Sequence, residues 1–448
     1  MKSSKVMAAL VSLGLAAAVA SPAMALENQF SGSFTTFYDL SNYSAAGNDG
    51  SATATNATGL ANNAPTENYF VQRVRLGYNA KASESAKLVT LFQIDYKYWG
   101  KDSYAASLSG GSALGSRGLN IQTKNIYLDL NLPGAVNTKI GMQPVSDAFK
   151  GSIMSADAAG ILFSHDYAKA SASAGFFRMG DSFDLYGDNY KENTSTKTVG
   201  RNTYDLFILD AKYSINKETK VGASYYFIAD NRQNSATAVQ PTNKAKVSTL
   251  GVNAETIVGP LTVNGFALTQ FGDKSDGTKA KGYAFNFGAK IPLAGGTART
   301  EFIYTSGGAE GSLVIPSSVN GTEGGGFYDN EMVILSRDKN ATNFDNAIIY
   351  DVNNVNQGVV FGSLGYDYTF SPKLSGSANA GFAAVARDRG AHNSNYLGSE
   401  INCEANYKLL PEVTLGARVG YVFLGDYFKT SPSVDNPYDL KIIAKYSF

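Results

Sequence analysis

The catalytic reach of this chain is narrow, because its 448 residues include two histidines, His165 and His392, and one cysteine, Cys403. Ser164-His165-Asp166 places the three residue types of a nucleophilic triad in one tripeptide. Consecutive strand residues point to opposite faces, so the tripeptide alone cannot gather hydroxyl, imidazole and carboxylate around one substrate. His392 lies in the loop-like run Arg389-Gly-Ala-His-Asn. Two histidines rule out a His-rich catalytic metal site. One cysteine rules out an internal disulfide framework and a four-cysteine metal or iron–sulfur site, and no Cys-x-x-Cys-His offers covalent haem attachment. Gly324-Gly325-Gly326 has no strand-to-helix context for a phosphate cradle. The Asp-rich loops lack the twelve-residue calcium spacing. The sequence therefore predicts no enzyme, no cofactor and no metal.

The charges point elsewhere. Charged residues make up 17% of the chain, Lys+Arg and Asp+Glu both total 38, and glycine counts 46. A soluble protein is roughly 25% charged. The zero net charge argues against a nucleic-acid partner, which calls for a basic excess. Residues 1–25 read as a cleaved export signal: Lys2 and Lys5, an apolar run Val6–Ala20, and the small-x-small site Ala23-Met24-Ala25. No later run is long and apolar enough for a membrane helix. The rest, 26–448, reads as a single domain.

That domain has a period of two. Val413-Thr-Leu-Gly-Ala-Arg-Val-Gly-Tyr-Val-Phe423 alternates apolar with small or polar side chains, as do Tyr283–Ile291 and Leu440–Phe448. Eighteen such segments are expected, near 29–39, 69–81, 86–98, 121–132, 136–144, 160–167, 169–178, 203–214, 219–229, 246–258, 261–271, 281–291, 297–305, 358–370, 373–385, 396–408, 412–424 and 438–448. Sixteen is the alternative, because 160–178 is weakly patterned. Short connections such as Ser83-Glu84-Ser85, Gly259-Pro260 and Ser371-Pro372 alternate with long ones at 40–68, 99–120, 179–202, 230–245 and 306–357. The expectation is an all-β, antiparallel transmembrane barrel with short periplasmic turns and long extracellular loops. Lipid supplies no hydrogen-bond partners, so such a sheet must close on itself. A soluble secreted β-protein is the competing class.

The chain ends Ala444-Lys-Tyr-Ser-Phe448. This aromatic terminal strand resembles the assembly signal of bacterial outer-membrane barrels. Ile140-Gly-Met-Gln-Pro-Val-Ser-Asp147 through Asp157-Ala-Ala-Gly-Ile161 is similar to the passage around the inward-folding loop of many porins, with Met142 where those often carry Arg. Taken whole, the mature chain resembles a Gram-negative outer-membrane porin. The resemblance implies an outer-membrane location and a lipid surround. It also implies a homotrimer, passive diffusion of ions and small hydrophilic solutes, and delivery to the barrel assembly machinery through the strand ending at Phe448.

Parity divides the side chains into two faces. Phe92, Ile94, Tyr96, Phe285, Phe287, Phe302, Tyr304, Tyr366, Tyr421, Phe423, Tyr446 and Phe448 fall on the outward apolar face, with Cys403 beside Ile401 and Ala405. The inward face takes Arg73, Arg75, Lys97, Lys139, Lys212, Lys290, Arg299, Arg418, Lys441 and Lys445, with Asp95, Asp129, Asp210, Glu255, Glu301, Asp367, Glu400 and Glu404. Opposed wall charges orient solutes and set ion preference. By the porin resemblance, 144–160 is the constriction loop, carrying Asp147, Lys150 and Asp157 opposite Arg73, Arg75 and Lys97. The 306–357 connection reads as a surface loop, although its length would let it fold inward. A passive channel is the leading function. The alternative is a non-catalytic barrel that docks a partner, such as a multihaem cytochrome, or acts as an adhesin through its loops.

Overall fold

The computed structural model describes residues 26–43, 60, 62–100, 121–181, 203–231, 244–275, 277–316, 326–340, 342, 347–387, 394–429 and 434–448. The export signal 1–25, His392 and residues 324 and 325 of the glycine run lie outside the described residues. The strands in chain order are β1 (Glu27–Ser41), β2 (Glu67–Ser83), β3 (Ala86–Tyr98), β4 (Gln122–Leu132), β5 (Val136–Ser146), β6 (Ser155–Tyr167), β7 (Ala170–Asp181), β8 (Thr203–Ser214), β9 (Thr219–Asp230), β10 (Ala245–Val258), β11 (Leu261–Ser275), β12 (Thr278–Ala280), β13 (Tyr283–Leu293), β14 (Gly296–Thr305), β15 (Val359–Thr369), β16 (Leu374–Val385), β17 (Tyr396–Leu410), β18 (Val413–Leu424) and β19 (Tyr438–Ser447).

Apart from the short β12, each strand pairs antiparallel with the next in the wall, and β1 pairs with β19 to close the sheet. β11 pairs with the short β12 and then with β13, so the wall has eighteen staves and not sixteen. Closure removes the free edges that lipid could not satisfy. The tight turns lie at one rim. At Ala294-Gly295 both residues have positive φ, 49° and 82°, the two-residue hairpin geometry that matches strand twist. The start of β1 and the end of β19 lie at this rim, where the Phe448 amide and carbonyl bond the Gly32 carbonyl and amide.

The outer face carries Leu128, Ile140, Phe163, Leu209, Val252, Phe287, Ile401 and Val419, all exposed. Cys403 is exposed among them. Alternation turns the intervening residues inward, so Asn402 and Arg418 are buried although their sequence neighbours are exposed, and Glu400 is buried beside the exposed Ile401.

A hydrophobic core sits inside the barrel. The connection β14–β15 does not stay on the surface, contrary to the expectation for 306–357. Leu313, Val314, Ile315, Met332, Val333, Ile334, Leu335, Ile348 and Ile349 are buried against wall residues such as Phe361, Ala383 and Val422. Two wall glycines make room: a Cβ at Gly381 would lie 2.6 Å from Met332 Sδ, and one at Gly420 2.3 Å from Val333 Cγ2. Burying side chains of this size contributes about 1.5–3 kcal/mol each, so the segment is part of the fold and not a loose lid.

Candidate functional site: a narrowed lumen

The connection β5–β6 is short, residues 147–154, because β6 starts at Ser155. Asp147 organises it. Its Oδ1 accepts the amides of Phe149 (2.7 Å) and Gly151 (2.8 Å), and its Oδ2 those of Ile153 (2.5 Å) and Met154 (2.6 Å). Asp147 is therefore committed to its own turn and does not present a charge to the lumen, a correction to its expected place among the constriction charges. The turn passes through Lys150 and Gly151 at φ 58° and 81° and sends Phe149 across the lumen. Phe149 packs edge-on against Tyr226, with ring centres 5.6 Å apart, and on Phe266 at 5.5 Å. Gly251 leaves the gap, since a Cβ there would be 2.5 Å from the ring. The Ala148 amide donates to the Tyr226 hydroxyl (2.9 Å), which donates to Asp210 (2.7 Å). Lys150 reaches β14 and forms an ion pair with Glu301.

The second inward segment covers the wall of β14–β18. Glu400 accepts three consecutive amides, from Val333 (2.7 Å), Ile334 (3.0 Å) and Leu335 (2.7 Å), and is fully buried. Arg418 bonds Asp338 (2.5 Å) and Glu404 (2.6 Å) and is also buried. Both were expected on the pore surface; the segment takes them out of it. Asp338 is buried, which alone would raise its pKa, yet the facing Arg418 and the donors from Thr342 and Asn340 hold it below the usual carboxylate range. Arg299 links wall to segment: it bonds Asp367 at 2.8 and 2.9 Å and Asn379 at 2.6 Å, with Glu331 at 3.3 Å.

The facing wall, β2–β6, stays lined by charge. A β-bulge in β3 sets Asp95 and Tyr96 together opposite Arg73. Arg73 lies 3.2 Å from Asp95, donates to the Tyr96 hydroxyl at 2.9 Å and sits 4.4 Å above that ring. Tyr96 is thus inside the barrel, not on the outward face as parity had it. Beyond the bulge the alternation inverts. Lys97 pairs with Gln72, on the face opposite Arg73 and Arg75, so its expected inward position is also corrected. Arg75 bonds Gln93 at 3.4 Å. Asp157 belongs to β6, not to the loop, and bonds Lys124 (2.6 Å) and Asn125 (2.7 Å). Asp129 pairs with Lys87 at 3.1 Å and stands opposite Lys139.

Below the inward segments, toward the short-turn rim, lies a cavity of about 730 Å³. Its wall includes Lys150, Lys169, Lys212, Lys220, Lys290 and Arg299, with Asp166, Glu255, Glu301 and Glu331. Lys150 and Arg299 are paired to Glu301 and Glu331. Lys169, Lys212, Lys220 and Lys290 have no ion-pair partner among the described residues, against Asp166 and Glu255, so the chamber is positive. Parity had identified Lys212, Glu255 and Lys290. Lys169 lies in the turn between β6 and β7, where strand alternation gives no signal; Lys220 lies in β9 on the inward parity of Ser224 and Tyr226, opposite Glu255, so alternation does signal it. Asp166 lines this chamber, whereas the neighbouring His165 lies with Phe163 and Leu209 along another groove and contacts the Ala135 carbonyl at 3.0 Å. Ser164-His165-Asp166 does not converge on one point.

No family model matches this sequence, and no curated protein matches it. The fold does match solved structures. Pseudomonas aeruginosa OccK3 (OpdO) superposes with a TM-score of 0.56 at 12% identity, over 94% of this chain and 96% of that one. Pseudomonas aeruginosa OpdL gives 0.55 at 12%, over 94% and 99%. Pseudomonas aeruginosa OccK8 (OprE) gives 0.53 at 11%, over 94% and 98%. At this identity the likeness is one of fold.

Proposed function

We propose that this chain is a porin of the bacterial outer membrane, a water-filled channel that passes ions and small hydrophilic solutes without catalysis. The closed barrel, a fold shared with Pseudomonas aeruginosa OccK3 (OpdO) and OpdL, supports a membrane-spanning reading. The observation that carries the reading is the lumen itself. Two inward segments narrow it, and the remaining space opens into a chamber whose unpaired lysines outnumber its unpaired carboxylates. A low-dielectric wall concentrates that field on whatever crosses it.

A solute entering from the long-loop side meets Arg73 and Arg75 on one wall and the docked β14–β15 segment on the other. It then passes the Lys150–Glu301 pair and enters the lysine chamber. Paired charges orient a polar solute at little net field, whereas the unpaired lysines favour an anion. The channel therefore prefers anions over cations. The resemblance adds a homotrimer to this reading, and cross-linking in mild detergent tests it.

The inward segments also bear on the docking alternative. They occupy lumen that a threaded cytochrome would need, which favours a channel over a sheath. Proteoliposome swelling separates the two. Swelling in small neutral sugars, faster in small monocarboxylates than in cations of similar size, is expected. A folded barrel that leaves liposomes impermeable to all of them would overturn the proposal.

A further inference from the structure

The seam between β1 and β19 carries a device that the channel function does not use. Lys441 on β19 is fully buried and bonds both Asp39 on β1, at 2.8 Å, and Asp439 on its own strand. Tyr69 on β2 donates to the same Asp39 at 3.0 Å. A buried ammonium between two carboxylates brings little net stability, because desolvation offsets the attraction. Its attested use is to select one register among several.

The seam needs such a selector. Alternation forbids a slip of one residue, which would turn every side chain to the wrong face. It does not forbid a slip of two, which keeps parity. In the observed register Asp39 faces Lys441 and Thr35 faces Lys445. Shifted by two, Lys441 would face Phe37 or Ser41, and Asp39 would be buried without its cation. A second contact discriminates in the same way at the rim. The Phe448 ring lies over Gly32, where a Cβ would be 2.6 Å from it. A shift by two would set Phe448 against Phe30 or Phe34.

We propose that Asp39, Lys441 and Asp439, with Phe448 seated on Gly32, fix the register in which the two ends of this chain close into a barrel. Each strand except the closing pair is joined to its neighbour by a connection that limits slippage. β1 and β19 meet from opposite ends of the sequence, so side chains alone must align them.

The test is disulfide capture across the seam in a Cys403→Ser background. Thr35→Cys with Lys445→Cys reports the native register. Thr35→Cys with Ile443→Cys or with Ser447→Cys reports the two slipped ones. The parent is expected to cross-link through the native pair alone. The neutral triple variant Asp39→Asn/Asp439→Asn/Lys441→Gln leaves no unpaired charge in the cluster, yet is expected to lose native cross-link in favour of slipped products. If it closes only in the native register, the proposal fails. Should that variant yield no heat-modifiable barrel, Asp39→Lys is compared with the exchange Asp39→Lys/Lys441→Asp. The exchange is expected to restore the native cross-link that Asp39→Lys loses. A single Asp39→Lys that closes only in the native register overturns the proposal as well.

Discussion

Lys150, at the tip of the β5–β6 connection, is ion-paired to Glu301 on β14, a strand of the facing wall. The pair ties a turn held by Asp147 to the staves that also anchor the second inward segment through Arg299 and Glu331. Both partners are about one-third exposed, so the pair sits in contact with lumen solvent.

Because the pair is solvated, Lys150→Ala should cost little stability, about 0.2–1 kcal/mol. Its effect on transport should be larger. Glu301→Gln leaves Lys150 free in the lumen and is expected to shift the reversal potential further toward anions. Lys150→Ala is expected to shift it the other way and to raise conductance. Single-channel recordings of the two variants, with thermal unfolding as control, read both effects.

Phe149→Ala removes the side chain that fills the gap over Gly251 and should destabilise by about 3–5 kcal/mol, as for other buried aromatic truncations. Gly251→Val blocks the same gap from the wall. Both variants are expected to loosen the β5–β6 segment and widen the channel. A larger size limit in liposome swelling, with the barrel still heat-modifiable, is the outcome to look for.

The lysine chamber should set selectivity in a salt-dependent way. Lys212→Glu with Lys290→Glu reverses the excess charge among the unpaired groups and is expected to turn anion preference into cation preference. The difference should be plain near 0.15 M salt, where the screening length is about 8 Å, and fade toward 1 M, where it is about 3 Å. Equal reversal potentials for parent and variant at low salt would show that these lysines do not control passage.

Acid should weaken the second segment through Asp338. With Arg418 opposite, its folded pKa lies below the ordinary carboxylate value of about 3.9. The stabilisation is therefore complete well above that value and is lost as pH falls through the lower, folded value. Docking is expected to hold at pH 5 and to loosen below about pH 4, seen as added current noise and higher conductance. Asp338→Asn should show the loosened behaviour at neutral pH and lack the acid transition.

The eighteen staves were legible because their signal is local: a period of two, broken by turn residues such as Ala294-Gly295. Wall positions were legible where alternation runs unbroken, as at Asp210, Lys212, Glu255 and Lys290. Tyr96 and Lys97 were misassigned because one extra residue in β3 inverts the parity, and no residue type announces that bulge. Glu400 and Arg418 were set on the correct face but not under their cover. Which loop lies on which wall is decided by tertiary fit, here by Gly381 and Gly420 receiving Met332 and Val333. Three apolar runs in the connection, Leu313–Ile315, Met332–Leu335 and Ala347–Ile349, were the signal for it.

The most direct test is single-channel current from the purified mature barrel in a planar bilayer under a salt gradient. Discrete conductance steps with a reversal potential on the anion side are expected, and Lys212→Glu with Lys290→Glu should move that potential toward the cation side. A correctly folded, heat-modifiable barrel that carries no current would contradict the channel reading.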